Sequence, residues 1–363
     1  MKKRIVILTA LAFLSGLAST HAQTARYFVY VSNSASSSIS AYAIDSSSGA
    51  LVEVDGSPFP TGPSPAGISA DPRGKFLYVT NKNSAKVSAY KIDPRTGGLS
   101  AVSGSPFPTG PMPQEIAIAP AGNFLYIANR SGANISAYTI DPKNGVLSSI
   151  RGSPFATGLI PTELAVEPTG KFLYVACRHG AASAYAIDPD TGALSAVSGS
   201  PFPAEGYPSG VAIDPAGKFL YVANWLTANV SAYTIDPASG ALSAVSGSPF
   251  SAGSSPGSSA IDGTGKFVYV ANEGSDNVSA YTIDSGTGAL SSVSGSPFRA
   301  GSIPQKIAVD PTGKFVYVTN NGSKNVFAYA IDPGTGALAA ISGSPFAAER
   351  SPHGLAIATV TGK

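Results

Sequence analysis

Seven stretches of the chain are apolar on both faces of a short strand: "RYFVYVSN" (26–33), "KFLYVTN" (75–81), "NFLYIAN" (123–129), "KFLYVAC" (171–177), "KFLYVAN" (218–224), "KFVYVAN" (266–272) and "KFVYVTN" (314–320). Phe and Tyr fall on one side and Leu, Val or Ile on the other, as a strand covered on both faces requires. A shorter segment such as "EIAIA" (115–119) precedes the aromatic strand across a P-x-G-K turn, and an alternating segment such as "NVSAYTID" follows it. The Gly-containing turn "DPxTG" then leads to "ALSAVSG", so each unit predicts four short strands. No stretch keeps a helical period over a useful length.

The aromatic strands recur at steps of 47 to 49 residues, and "GSPF" also occurs seven times. Seven four-stranded units, each sandwiched between its neighbours, predict an all-β, seven-bladed β-propeller with antiparallel blades. The first unit opens at its aromatic strand without an inner strand before it, and "SPHGLAIATV" (351–360) supplies one at the far end of the chain. The ring is therefore expected to close by the C-terminal strand completing the first blade.

At the N-terminus Lys2-Lys3-Arg4, the apolar run 5–14 and small residues ending at Ala22 predict a secretory signal over 1–22, leaving 23–363 as one propeller domain. The apolar run is shorter than the ~20 residues of a membrane span, so none is expected after cleavage, and the mature chain should be periplasmic or secreted. Its single cysteine can form no internal disulfide. A net charge of +2 without a polybasic run gives nucleic acid and anionic membranes nothing to grip. A monomer is the expected state.

Seven copies in one chain separate framework from site. The serines of "GSPF" and the aspartates of "IDP" (Asp45, Asp93, Asp141, Asp188, Asp236, Asp284, Asp332) repeat in register and read as turn chemistry rather than as nucleophiles or calcium ligands. The "NVS" and "NIS" triplets recur at the start of a strand and read as framework too. Two positions vary instead: the residues entering each inner strand and the residue after each aromatic strand, which share one face around the channel mouth. That mouth is expected to gather Glu115, Glu163, Arg178, His179, Trp225, Glu273, Lys306 and His353. No HxxxH or CxxC spacing is present, so neither metal nor cofactor is expected. In "VACRHG" (175–180) Cys177 replaces an asparagine that in six sister strands could close an Asx-type turn, and the loop after it is one residue short. The short loop should draw Arg178 and His179 toward Glu163, while Cys177 reads as a small buried substitute.

The "YVTN" strand, the "VSAYxIDPxTGAL" strand-turn and the period of about 48 residues resemble the lactonase family of seven-bladed propellers, over nearly all of 26–360. That group includes bacterial 6-phosphogluconolactonase and fungal carboxymuconate cyclase. The resemblance implies a histidine, two arginines and a glutamate for catalysis, at positions held here by Thr162, Ser209, Gln305 and Trp225, none of which matches. A register slid by one blade recovers only Glu273, with Ser209, Gly257 and His353 at the other places. The leading expectation is therefore an exported propeller that binds a small molecule, saccharide or protein at its mouth, with Trp225 as a stacking surface. The competing one is a lactonase-type ester hydrolase with Glu163 or His179 as base and Arg178 or Lys306 as oxyanion partner. A propeller lyase is a third, and would need a metal near His179 or His353.

Overall fold

The computed structural model describes residues 25–361, so the signal segment expected over 1–22 lies outside the described residues. Seven antiparallel sheets form the blades. Blade 4 is representative: inner strand Pro161–Val166, second strand Phe172–Cys177, third strand Ala181–Ile187, and an outer strand split into Leu194–Ala196 and Phe202–Pro203. Both outer pieces pair with the third strand. The expected closure holds: Pro352–Val360 pairs antiparallel with Arg26–Asn33, completing blade 1 from the other end of the chain.

Each seam between blades is its own hydrophobic cluster, and there are seven of them. The central residue is the tyrosine of the aromatic strand, wholly buried in every blade. A buried hydroxyl needs a partner. Tyr174 Oη donates to the Gly240 carbonyl of the next blade at 2.9 Å. Tyr317 of blade 7 donates in the same way to Gly49 of blade 1 at 2.8 Å, so the closing seam is built like the internal ones. The glycine is required twice over, because Gly49 has φ +76° and a Cβ there would sit 2.4 Å from the Phe315 ring.

The repeated polar residues are framework, as their register implied. Ser200 Oγ accepts the Ala184 N–H at 2.9 Å, tying the "GSPF" turn to the third strand, and the other six serines do the same. Asp188 Oδ1 accepts the backbone N–H groups of Asp190 and Thr191 in an Asx turn. The strand-ending asparagine differs from expectation. Asn129 does not close its loop but reaches across to Ser136 Oγ (2.8 Å) and to Asn134 Oδ1 (2.7 Å), which also gives the "NIS" triplet its structural role. Cys177 fills the equivalent space, buried, 3.7 Å from Ser183 Oγ.

Two local devices aim side chains at the channel. A register shift at the start of each inner strand, as between Pro161 and Leu164, leaves Thr162 and Glu163 opposite one residue of the partner strand. The residue before each inner-strand proline takes the left-handed region, with φ between 51° and 57° from Ser64 to Ser351, and its carbonyl accepts the N–H of the residue after the aromatic strand. Met112 thus holds Arg130 at 2.9 Å, Ser64 holds Lys82 at 3.0 Å and Ile160 holds Arg178 at 3.2 Å.

Candidate functional site

These devices build a cavity of about 180 Å³ at the channel mouth. Its floor comes from the inner-strand starts and includes Glu115, Glu163, Lys306 and His353, and its wall comes from the second-to-third-strand loops and includes Lys82, Arg130, Arg178 and Glu273.

The floor holds a buried ion cluster. Lys306 Nζ lies 2.5 Å from Glu163 Oε1 and 3.5 Å from Glu115 Oε1, joining blade 7 to blades 4 and 3. Burial alone would lower the Lys306 ammonium, but the Glu115 and Glu163 carboxylates outweigh it and hold it above its ordinary range. Glu163 is pushed up to about 7, first by burial and then by Glu115, with Lys306 opposing. One cation between two carboxylates leaves one negative charge to spare. A proton on the Glu163 side removes that excess, so the floor can change its charge near neutral pH.

The wall has the opposite character. Lys82, Arg130 and Arg178 stand at the same repeat position in blades 2, 3 and 4, and among the described residues none has a carboxylate within ion-pair distance. They repel one another: Lys82 is lowered to about 8 by burial, then by Arg130, with Glu115 opposing and Arg178 adding a smaller push. Arg178 Nε is buried without a hydrogen-bond partner, and its guanidinium lies over the Tyr207 ring at 6.0 Å. Lys82 Nζ is 3.2 Å from His353 Nε2. Burial and the nearby Lys82 and Lys306 charges hold His353 well below its usual range, so the imidazole is neutral and its Nε2 accepts from the ammonium. Across the mouth, Glu273 accepts from Trp225 Nε1 at 3.1 Å, and burial raises its carboxyl against that hydrogen bond and the Arg178 charge. Gly257 makes room, since a Cβ there would lie 2.5 Å from Glu273 Oε1.

The sequence-based candidates divide. Glu115, Glu163, Arg178, Glu273, Lys306 and His353 line the cavity together. Two are placed otherwise. His179 is exposed on its loop and is not among the lining residues, because the short turn through Gly180, at φ +76°, brings in Arg178 alone. Trp225 spends its indole N–H on Glu273 and buttresses the wall from outside the lining. Lys82 and Arg130 were not among the candidates, although the repeat register that picked out Arg178 places them at the same position. Among the described residues no three His, Cys, Asp or Glu side chains gather to hold a metal ion, and His353 Nε2 is already engaged by Lys82.

The sequence matches the family described as lactonase, 7-bladed beta-propeller, over residues 9–111, 106–203, 198–299 and 250–350. The chain belongs to this family. No curated protein sequence matches it. Among solved structures, this lactonase-family chain is similar to a Bacteroides fragilis protein described as a candidate 6-phosphogluconolactonase, with a TM-score of 0.80 and 20% identity over 93% of this chain and 99% of that one. It is similar also to the Pseudomonas aeruginosa periplasmic gluconolactonase PpgL, with a TM-score of 0.77 and 18% identity over 93% and 100% of the two chains. At such identities the likeness is one of fold. Of the positions where the family resemblance implies catalytic groups, Thr162 has its hydroxyl 3.1 Å from the carbonyls of both Ala176 and Pro208, a tie between blades 4 and 5. Ser209 and Gln305 line the cavity, and Trp225 braces Glu273.

Proposed function

We propose that this lactonase-family propeller is exported and binds a small organic acid at its channel mouth. The observation that carries the reading is the arc of Lys82, Arg130 and Arg178, which crowds positive charge into a polar cavity where, among the described residues, none of the three forms an ion pair. Holding three like charges in a confined space is costly, and a ligand carboxylate relieves it through charge-assisted hydrogen bonds from the Lys82, Arg130 and Arg178 side chains that line the cavity. The basic, then apolar, then small-residue N-terminus supports export, as does the likeness to a periplasmic gluconolactonase. Gluconate, as the product of a gluconolactonase, is the natural first probe. Its addition to the mature protein should raise the unfolding temperature, and the Arg130→Gln, Arg178→Gln double variant should lose that shift while remaining folded. A shift that survives the double variant contradicts the reading.

A second reading, hydrolysis of a lactone at the same site, is favoured by one feature. Glu163 faces the cavity with its carboxyl moved toward neutral pH, where a general base is most effective. In that reaction Glu163 takes a proton from water as the water attacks the lactone carbonyl, and Arg178 and Arg130 donate to the developing oxyanion. Collapse of that intermediate breaks the ring C–O bond, and the proton returns to the leaving oxygen. Glucono-δ-lactone opened faster than its spontaneous rate by the wild type, and not by Glu163→Gln, is the result this reading requires.

A further inference from the structure

The rim above the cationic arc is apolar where it has no packing reason to be. The residue before each inner-strand proline is held at φ between 51° and 57°, a region that bulky and β-branched side chains avoid. Blades 1, 2 and 6 place serine there, as Ser351, Ser64 and Ser255, so the fold needs nothing larger. Blades 3, 4, 5 and 7 place Met112, Ile160, Tyr207 and Ile303 instead. Met112, Tyr207 and Ile303 are about two-fifths exposed and Ile160 is half-buried, and of the four only Met112 and Ile160 share a groove with Arg130. Beside Ile160, Leu159 is 57% exposed. Strain accepted for side chains that stay in water marks a functional surface.

This apolar shelf is continuous with the cations. Met112, Leu159 and Ile160 line a shallow groove together with Ser131, Ala133 and Arg130, and Arg130 lines the mouth cavity as well. The backbone links that aim the arginines are made by the shelf residues themselves, Met112 to Arg130 and Ile160 to Arg178. The groove and the mouth cavity meet at Arg130, so a molecule whose carboxylate is held by Arg130 has Met112, Leu159 and Ile160 as the apolar surface next to its head.

We infer that the ligand of the mouth is an amphiphilic anion, a carboxylate joined to an aliphatic or aromatic body, held head-in by the cationic arc with its apolar part on the blade 3 and blade 4 rim. The inference rests on the reading of the mouth as an organic-acid site and adds the chemical class of the acid. A hydroxylated acid such as gluconate would satisfy the arc and leave the shelf wet, whereas an alkyl carboxylate satisfies both.

Titration calorimetry of the mature protein with acetate, octanoate, gluconate and 1-octanol tests it. Octanoate should bind at least tenfold more tightly than acetate or gluconate. The double substitution Met112→Ser, Leu159→Ser, at exposed positions where folding is not at stake, should weaken octanoate at least fivefold and leave gluconate unchanged. Arg130→Gln should weaken both acids. If gluconate binds and octanoate binds no better than acetate, the amphiphile is wrong while the organic-acid site stands. If 1-octanol binds as well as octanoate, or octanoate is indifferent to Arg130→Gln, the anionic head is wrong. If no acid binds, both readings fall.

Discussion

Lys306 of blade 7 reaches across the channel to Glu163 of blade 4, with Nζ 2.5 Å from Oε1. Lys306 joins blades 143 residues apart in sequence and leaves the floor of the mouth with more carboxylate than ammonium. The floor therefore carries a proton-sensitive group directly beneath a wall of cations.

That group makes stability depend on pH. Glu163 has its folded pKa raised from 4.5 to about 7, so between those values the folded protein binds more protons than the unfolded chain, and stability falls as pH rises through this window. Glu163→Gln should flatten the slope between pH 5 and 7, by roughly 1 to 3 kcal/mol across the window. Urea unfolding at half-unit pH steps checks this. Parallel curves for wild type and variant would mean that Glu163 is not the group responsible.

Removing the cation is the harsher change. Lys306→Met leaves Glu115 and Glu163 buried and facing one another without an ammonium, and should cost about 3 to 5 kcal/mol at pH 8. The loss should shrink at pH 5, where Glu163 takes up a proton. A cost independent of pH would point to lost packing instead.

The ring should close without a weak seam. Tyr317→Phe removes the hydroxyl bonded to Gly49 across the closing seam, and Tyr174→Phe the one bonded to Gly240 across an internal seam. Each leaves a buried carbonyl unpartnered and should cost about 1 to 3 kcal/mol, with the two values alike. Thermal unfolding of the pair measures this, and a much smaller loss for Tyr317→Phe would show the closing seam already loose.

The blades, their number and the closing strand were legible in the sequence because a repeated unit must satisfy the same needs seven times, and "GSPF", "IDP" and the tyrosines showed those needs directly. The site was only half legible. Register alone marks Lys82, Arg130 and Arg178 as one position in three blades, but the sequence gives no sign that their counter-charges are used elsewhere. Glu115 and Glu163 turn to Lys306, and that pairing exists only once the ring brings blade 7 opposite blades 3 and 4. His179 misled because a charged loop residue next to Arg178 looks equivalent to it, and the turn at Gly180 decides which of the two faces inward.

The single tryptophan makes the far wall observable. Gly257→Ala puts a methyl where Glu273 Oε1 lies and should displace the carboxylate from the Trp225 indole N–H. The tryptophan emission should shift with little change in unfolding temperature. Emission identical to wild type would show that Glu273 finds room beside the new methyl.

Calorimetric titration of gluconate into the wild type and into Arg178→Gln tests the cationic arc as an acid-binding site most directly. Loss of one charge-assisted hydrogen bond worth about 1.5 to 3 kcal/mol should weaken binding roughly 10- to 100-fold, and added salt should weaken the wild type more than the variant. Equal affinities for the two proteins, or no binding to either, would contradict it.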